Sequence, residues 1–168
     1  DFGNNNSYMN SDLAMRFNNW CLAISNGVIP VAYDYEVCYN AHPKLLKTLP
    51  MPIDVDKIDY VGVSEDTTYN LFHGLNRAGF KGTRHVEKAF DCIDQVYGGL
   101  VHTSIQGRMS FDKYIEVMRS ADIVVDQTSS YGLGMNALYA MALGKVVLGG
   151  NEPETNRIYS IPNPAINI

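Results

Sequence analysis

Ala121-Asp-Ile-Val-Val-Asp-Gln-Thr-Ser-Ser-Tyr-Gly-Leu-Gly-Met-Asn-Ala-Leu-Tyr-Ala-Met-Ala-Leu-Gly-Lys-Val-Val-Leu-Gly149 is the stretch whose reading decides the fold. Asp122 to Asp126 carries a β-branched run that suits a strand buried on both faces. Gly134 to Leu143 is rich in Ala and Met, with no proline and no β-branched residue, and predicts a helix that ends on Gly144 as its C-terminal cap. Lys145 to Gly149 repeats the apolar β pattern. A strand, a helix and a second doubly buried strand form a right-handed crossover, so the sheet is predicted to be parallel.

The same alternation extends outward. Upstream, Ser110 is placed to cap a helix carrying Phe111, Tyr114, Ile115 and Met118 at spacings of one face. Gly99 to Thr103 is a strand candidate. Thr83 to Tyr97 predicts a helix with Val86, Ala89, Phe90, Ile93 and Val96 on its apolar side. Asp59–Val63 and Tyr69–His73 are two further strand candidates. Strands alternating with helices of this length predict an α/β class and a doubly wound, Rossmann-like parallel sheet. Residues 55–168 are assigned to this domain. It is expected to be incomplete at its C-terminus, because the extended segment Pro164 to Ile168 has no covering helix after it.

Leu49-Pro-Met-Pro-Ile53 interrupts the pattern, since two closely spaced prolines force extended or turning backbone. Before it come a predicted helix over Ser11–Ile24, with Leu13, Phe17, Trp20, Cys21 and Ile24 on one side, a short strand over Gly27–Ala32, and a short helix around Tyr35–Asn40. Pro30 restricts that strand to a sheet edge. Residues 1–54 hold too few elements for a domain of their own and read as the helix and strand remnant of a second domain with its linker.

Composition narrows the partners. Hydrophobic residues make up 46% and charged residues 18% of 168, enough for a packed core. The formal net charge is −5, from 13 basic and 18 acidic residues, which disfavours a general grip on nucleic acid or an anionic membrane. No apolar run approaches the roughly 20 residues of a membrane span, and the N-terminus has no basic start or apolar core of a secretion signal. Three scattered cysteines form neither a disulfide framework nor a zinc motif, so a reducing, cytoplasmic setting is expected.

In a doubly wound sheet ligands sit beyond the carboxyl ends of the strands, where the strand order reverses. Three loops fall there. The first holds Arg77 and Lys81 ahead of a helix, where two cations and free N–H groups converge on an anion. The second holds Gly132 and Gly134, whose amides can bind a phosphate at a helix start. The third, Gly149 to Glu154, offers the carboxylate of Glu154 to sugar hydroxyls. Among the histidines only His73, at a strand's carboxyl end, is placed for a site. No Gly-x-Gly-x-x-Gly fingerprint follows the first strand, and the chain lacks a phosphate-binding P-loop and a Gly-x-Ser-x-Gly elbow, so a dinucleotide oxidoreductase, a P-loop NTPase and a serine hydrolase lose their sequence support.

Taken in order, Arg77 to Thr83, Ala121 to Gln127 and Tyr131 to Val147 resemble the C-terminal, donor-binding domain of GT-B glycosyltransferases of the group 1 type, over about residues 55–168. The resemblance implies transfer of a sugar from a nucleoside-diphosphate donor to a carbohydrate or lipid-linked acceptor, with retention and without metal or cofactor. It implies that Arg77 and Lys81 hold the donor diphosphate with Gly132 and Gly134. It places Tyr131 and Tyr139 where the family carries two glutamates that face the sugar and the ribose. A tyrosine there cannot supply a charged, bidentate acceptor, a loss of about 1.5–3 kcal/mol if nothing replaces it. Asp126 and Glu154 are the candidate replacements, with His73 nearby; no catalytic residue is assigned. The chain alone is expected to bind nucleotide without turning over. The alternative is a non-catalytic nucleotide- or partner-binding module of the same fold. A sugar-nucleotide epimerase would need carboxylates and a histidine around one sugar, and no such set stands out.

Overall fold

Chain segments with β-branched and aromatic residues at 69–74, 101–106, 123–125 and 146–149 pair side by side in a computed structural model, which describes residues 11–75, 81–159 and 162–168. The strands are β1 (Tyr69–Gly74), β2 (Val101–Gln106), β3 (Ile123–Val125), β4 (Val146–Gly149) and β5 (Ile166–Asn167). All are parallel, in the order β2-β1-β3-β4-β5. The helices are α1 (Asp12–Ile24), α2 (Tyr33–Glu36), α3 (Thr83–Tyr97), α4 (Phe111–Ser120), α5 (Met135–Ala142) and α6 (Pro153–Asn156). Winding outward from β1 in both directions makes the β1/β3 boundary the switch point of a doubly wound sheet.

Alternation along the strands divides the core into two layers. On one face Phe72, Val124 and Val147 pack with Tyr114 and Met118 of α4 and Ala137 and Ala140 of α5. On the other, Leu71 and Val125 pack with Val86 and Phe90 of α3. The predicted α3 face narrows to these two with Ile93, since Val96 is 71% exposed. Ser110 takes the N-cap position of α4 without a side-chain cap bond, whereas Ser11 does cap α1, its hydroxyl accepting the Ala14 N–H at 3.2 Å.

Two strand expectations are corrected. Residues 59–63 join no ladder: Gly62 adopts φ +79°, and the N–H groups of Val61 and Gly62 both donate to the Leu143 carbonyl (3.0 and 2.9 Å). A residue in that left-handed conformation cannot continue a strand, so the segment seals the α5–β4 turn instead. Gly27–Ala32 forms only an isolated bridge between Val28 and Leu45, because Pro30 lacks the N–H a ladder needs. The helix predicted at 35–40 starts earlier, as α2, and continues as a 3-10 turn over Val37–Tyr39. Lys44 completes this N-terminal segment by donating to the carbonyls of Leu22, Ala23 and Ser25 at the end of α1 (2.6, 3.0 and 2.8 Å).

Candidate functional site

At the carboxyl edge of β1 and β3 the chain brings together groups from four elements. Gly82 adopts φ +69° as the N-cap of α3, and a β-carbon there would lie 2.0 Å from Thr128 Oγ1. Only glycine therefore lets this turn press against the loop after β3. That approach puts Lys81 Nζ 3.0 Å from Asp126 Oδ1, a pair with side chains 9% and 0% exposed. The other oxygen, Asp126 Oδ2, accepts the Gly134 N–H at 2.8 Å. Gly134 is the N-cap of α5, so Asp126 sits as an anion between an ammonium and the positive end of a helix.

His73 lies beneath this point. Its Nδ1 is 2.8 Å from the Val125 carbonyl, which can only accept, so Nδ1 carries the proton. Nε2 then accepts from the Thr83 hydroxyl at 3.0 Å. Burial lowers the His73 pKa, against the pull of the Val125 carbonyl, so the ring is held neutral. It staples β1, β3 and α3 together, with both nitrogens engaged inside the protein.

The loop from 127 to 133 is held from two sides. Gln127 Nε2 donates to Ser130 Oγ (2.8 Å) and to the Gly132 carbonyl (2.9 Å). From the N-terminal segment, Asp34 Oδ1 accepts the Ser130 hydroxyl (2.7 Å) and the Tyr131 N–H (3.0 Å). Tyr131 meets Tyr33 edge to face at 5.0 Å, and the Arg157 guanidinium lies over Tyr33 at 5.2 Å. Gly132 rests on Thr155, whose methyl would be 2.9 Å from a β-carbon there.

The predicted residues therefore divide. Lys81, Asp126 and Gly134 come together. Gly132 lies in the same loop but faces Thr155 and Gln127. Tyr131 packs on Tyr33, while Tyr139 packs edge-on against Phe111 of α4 at 5.5 Å. Glu154 is on α6, and its backbone carbonyl accepts Arg157 Nε at 3.2 Å. Arg77 lies outside the described residues. Asp34 and Tyr33 carry no local motif, and their partners stand nearly a hundred positions away. Gln127, which no sequence signal singles out, anchors the loop after β3.

No family model matches this sequence, and no curated protein does. Solved structures do. The crystal structure of TarM superposes with a TM-score of 0.64 at 12% identity, over 98% of this chain and 38% of that one. The pneumococcal O-GlcNAc transferase GtfA, in complex with UDP and GlcNAc, superposes with a TM-score of 0.57 at 15% identity, over 85% of this chain and 33% of that one. The chain thus spans little more than a third of the length of these structures. At such identities the likeness is one of fold: the chain has a Rossmann-like parallel sheet of the GT-B type.

Proposed function

We propose that this chain is the donor-binding part of a glycosyltransferase that moves a sugar from a nucleoside diphosphate to a carbohydrate or lipid-linked acceptor, with retention, without metal, and in the cytoplasm. The carrying observation is the meeting of Lys81 Nζ and the Gly134 N–H on a single carboxylate at the switch-point edge. An ammonium and a helix-opening amide aimed at one anion are the groups a diphosphate uses. When the bond between anomeric carbon and phosphate oxygen breaks, charge builds on the leaving diphosphate. Lys81, the Gly134 amide and Arg77 stabilise it electrostatically. The fold shared with TarM and with GtfA, whose structure holds UDP and GlcNAc, supports the same reading.

Calorimetric titration of the chain with UDP and GDP tests it. Binding of at least one, weakened about tenfold or more by Lys81→Met through loss of a charged hydrogen bond, is the expected result. Affinity indifferent to Lys81 contradicts the proposal. The tyrosines at 131 and 139 favour a second reading, a binding module without transfer chemistry. A full-length parent that binds UDP yet leaves sugar nucleotides intact would select it.

A further inference from the structure

Near the Lys81–Asp126 pair stands a hydroxyl that no hydrogen bond among the described residues satisfies. Tyr114 of α4 is 7% exposed, and its hydroxyl oxygen is sealed from solvent and without a hydrogen-bond partner among the described residues. Its ring packs edge-on against Phe72, centroids 5.5 Å apart. The β1–β3 register pairs Phe72 with Val124 and ends with His73 beside Val125; continued by one residue, that register sets Gly74 beside Asp126. Phe72 and Val124 face the α4 and α5 layer, and alternation sends positions 74 and 126 to that same side. The Tyr114 oxygen fills the space a side chain at 74 would take: a β-carbon on Gly74 would fall 1.9 Å from it. Neighbouring strands are about 4.8 Å apart, which brings this hydroxyl within electrostatic reach of the Asp126 carboxylate with no hydrogen bond yet formed between them. Burial, and after it the charge of Asp126, pushes the phenol pKa up, so the group keeps its proton to donate.

Asp126 needs such a neighbour if the site works as proposed above. A diphosphate that takes Lys81 Nζ and the Gly134 N–H removes both partners of a buried carboxylate. Leaving that charge unpaired would oppose binding strongly. We propose that Tyr114 is a positioning residue that acts as the reserve donor for Asp126: as the diphosphate enters, the displaced carboxylate turns to accept the Tyr114 hydroxyl. This inference rests on the donor-binding reading of the same site.

The test is calorimetry with UDP and GDP on the chain and three variants. Tyr114→Phe keeps the ring and removes only the hydroxyl. It is expected to leave the melting temperature of the unliganded chain undiminished, since the lost group has no partner there, and to weaken nucleotide binding about tenfold. In an Asp126→Asn background the same substitution should change affinity less than about twofold, because a neutral amide is far less costly to leave without a donor. Nucleotide should also red-shift the tyrosine absorption of the unsubstituted chain but not of Tyr114→Phe, a readout that does not require Asp126→Asn to fold. Equal affinity for Tyr114→Phe and the unsubstituted chain overturns the inference and leaves the donor reading standing. An equal loss in both backgrounds also overturns it, by marking Tyr114 as structural only. Failure of the unsubstituted chain to bind either nucleotide overturns both.

Discussion

Asp122 enters strand β3 and Asp126 leaves it, and both are 1% exposed. At the amino end, Asp122 accepts the backbone N–H groups of Ser64 (2.7 Å) and Asn70 (2.8 Å). Lys145, buried nearby, donates to the Gly62 carbonyl at 2.5 Å and feels the Asp122 charge without a hydrogen bond to it. At the carboxyl end, Asp126 accepts a buried lysine ammonium and the amide that opens α5. One carboxylate is bonded to two main-chain amides. The other is bonded to groups that an external anion can also use, on the edge where doubly wound sheets bind ligands. Burial is therefore common to the structural and the candidate functional aspartate; what separates them is the kind of partner.

Substitutions can break this contrast, and the largest effect belongs to the carboxyl end. Lys81→Met leaves the Asp126 charge buried without its counter-ion and is expected to cost about 3–5 kcal/mol in denaturant unfolding. Adding Asp126→Leu should recover most of that, short of about 1 kcal/mol for the Gly134 amide, while nucleotide binding stays weakened in both proteins. Recovery of binding together with stability would erase the distinction between the two ends. At the amino end, Asp122→Ala strips two amides of a charged acceptor, and a loss of about 3 kcal/mol is expected, with affinity per folded molecule unchanged. A drop in affinity measured on the folded fraction of Asp122→Ala would show that this end also serves the ligand.

His73 sharpens the comparison through pH. Its folded-state pKa lies below the ordinary 6.5 because burial disfavours the cation. Between that lowered value and 6.5 the unfolded chain binds more protons than the folded one, so stability falls as pH drops below about 6.5. A melting-temperature profile from pH 7.5 to 5 should show this decline, and it should be shallower in His73→Asn. An identical slope in that variant would place the decline elsewhere. The smallest effect is expected at the loop contact: Asp34→Ala removes acceptors from Ser130 and Tyr131 and should cost about 1 kcal/mol or less, read in the same unfolding assay.

Much of the fold was legible because its signal is local. The β-branched run at 123–125, the Ala- and Met-rich helix at 135–142 and Gly144 with φ +83° follow from residue type and spacing. The 59–63 segment misled for an equally physical reason: its apolar alternation imitates a strand, but one glycine at positive φ turns it into a seal over the α5–β4 turn. The site was half legible. Loop position flagged Lys81 and Gly134, and the tyrosines at 131 and 139 pointed to Asp126 as a substitute carboxylate, yet only the fold closes a Lys81–Asp126 pair across 45 positions. Tyr114 read as one more apolar residue of a helix face, because an unpaired hydroxyl is a property of its surroundings. His73 read as a ligand residue because it ends a strand, and all of Leu71 to Gly74 proves buried.

The central claim is that nucleotide diphosphate sits at the carboxyl end of β3 between Lys81 and the start of α5. Amide hydrogen exchange with and without UDP or GDP tests it most directly. Slowed exchange is expected at residues 81–83 and across 131–140, with residues 64–70 and Asp122 unchanged. Protection confined to the Ser64–Asn70 side, or binding with no change near Gly134, would contradict it.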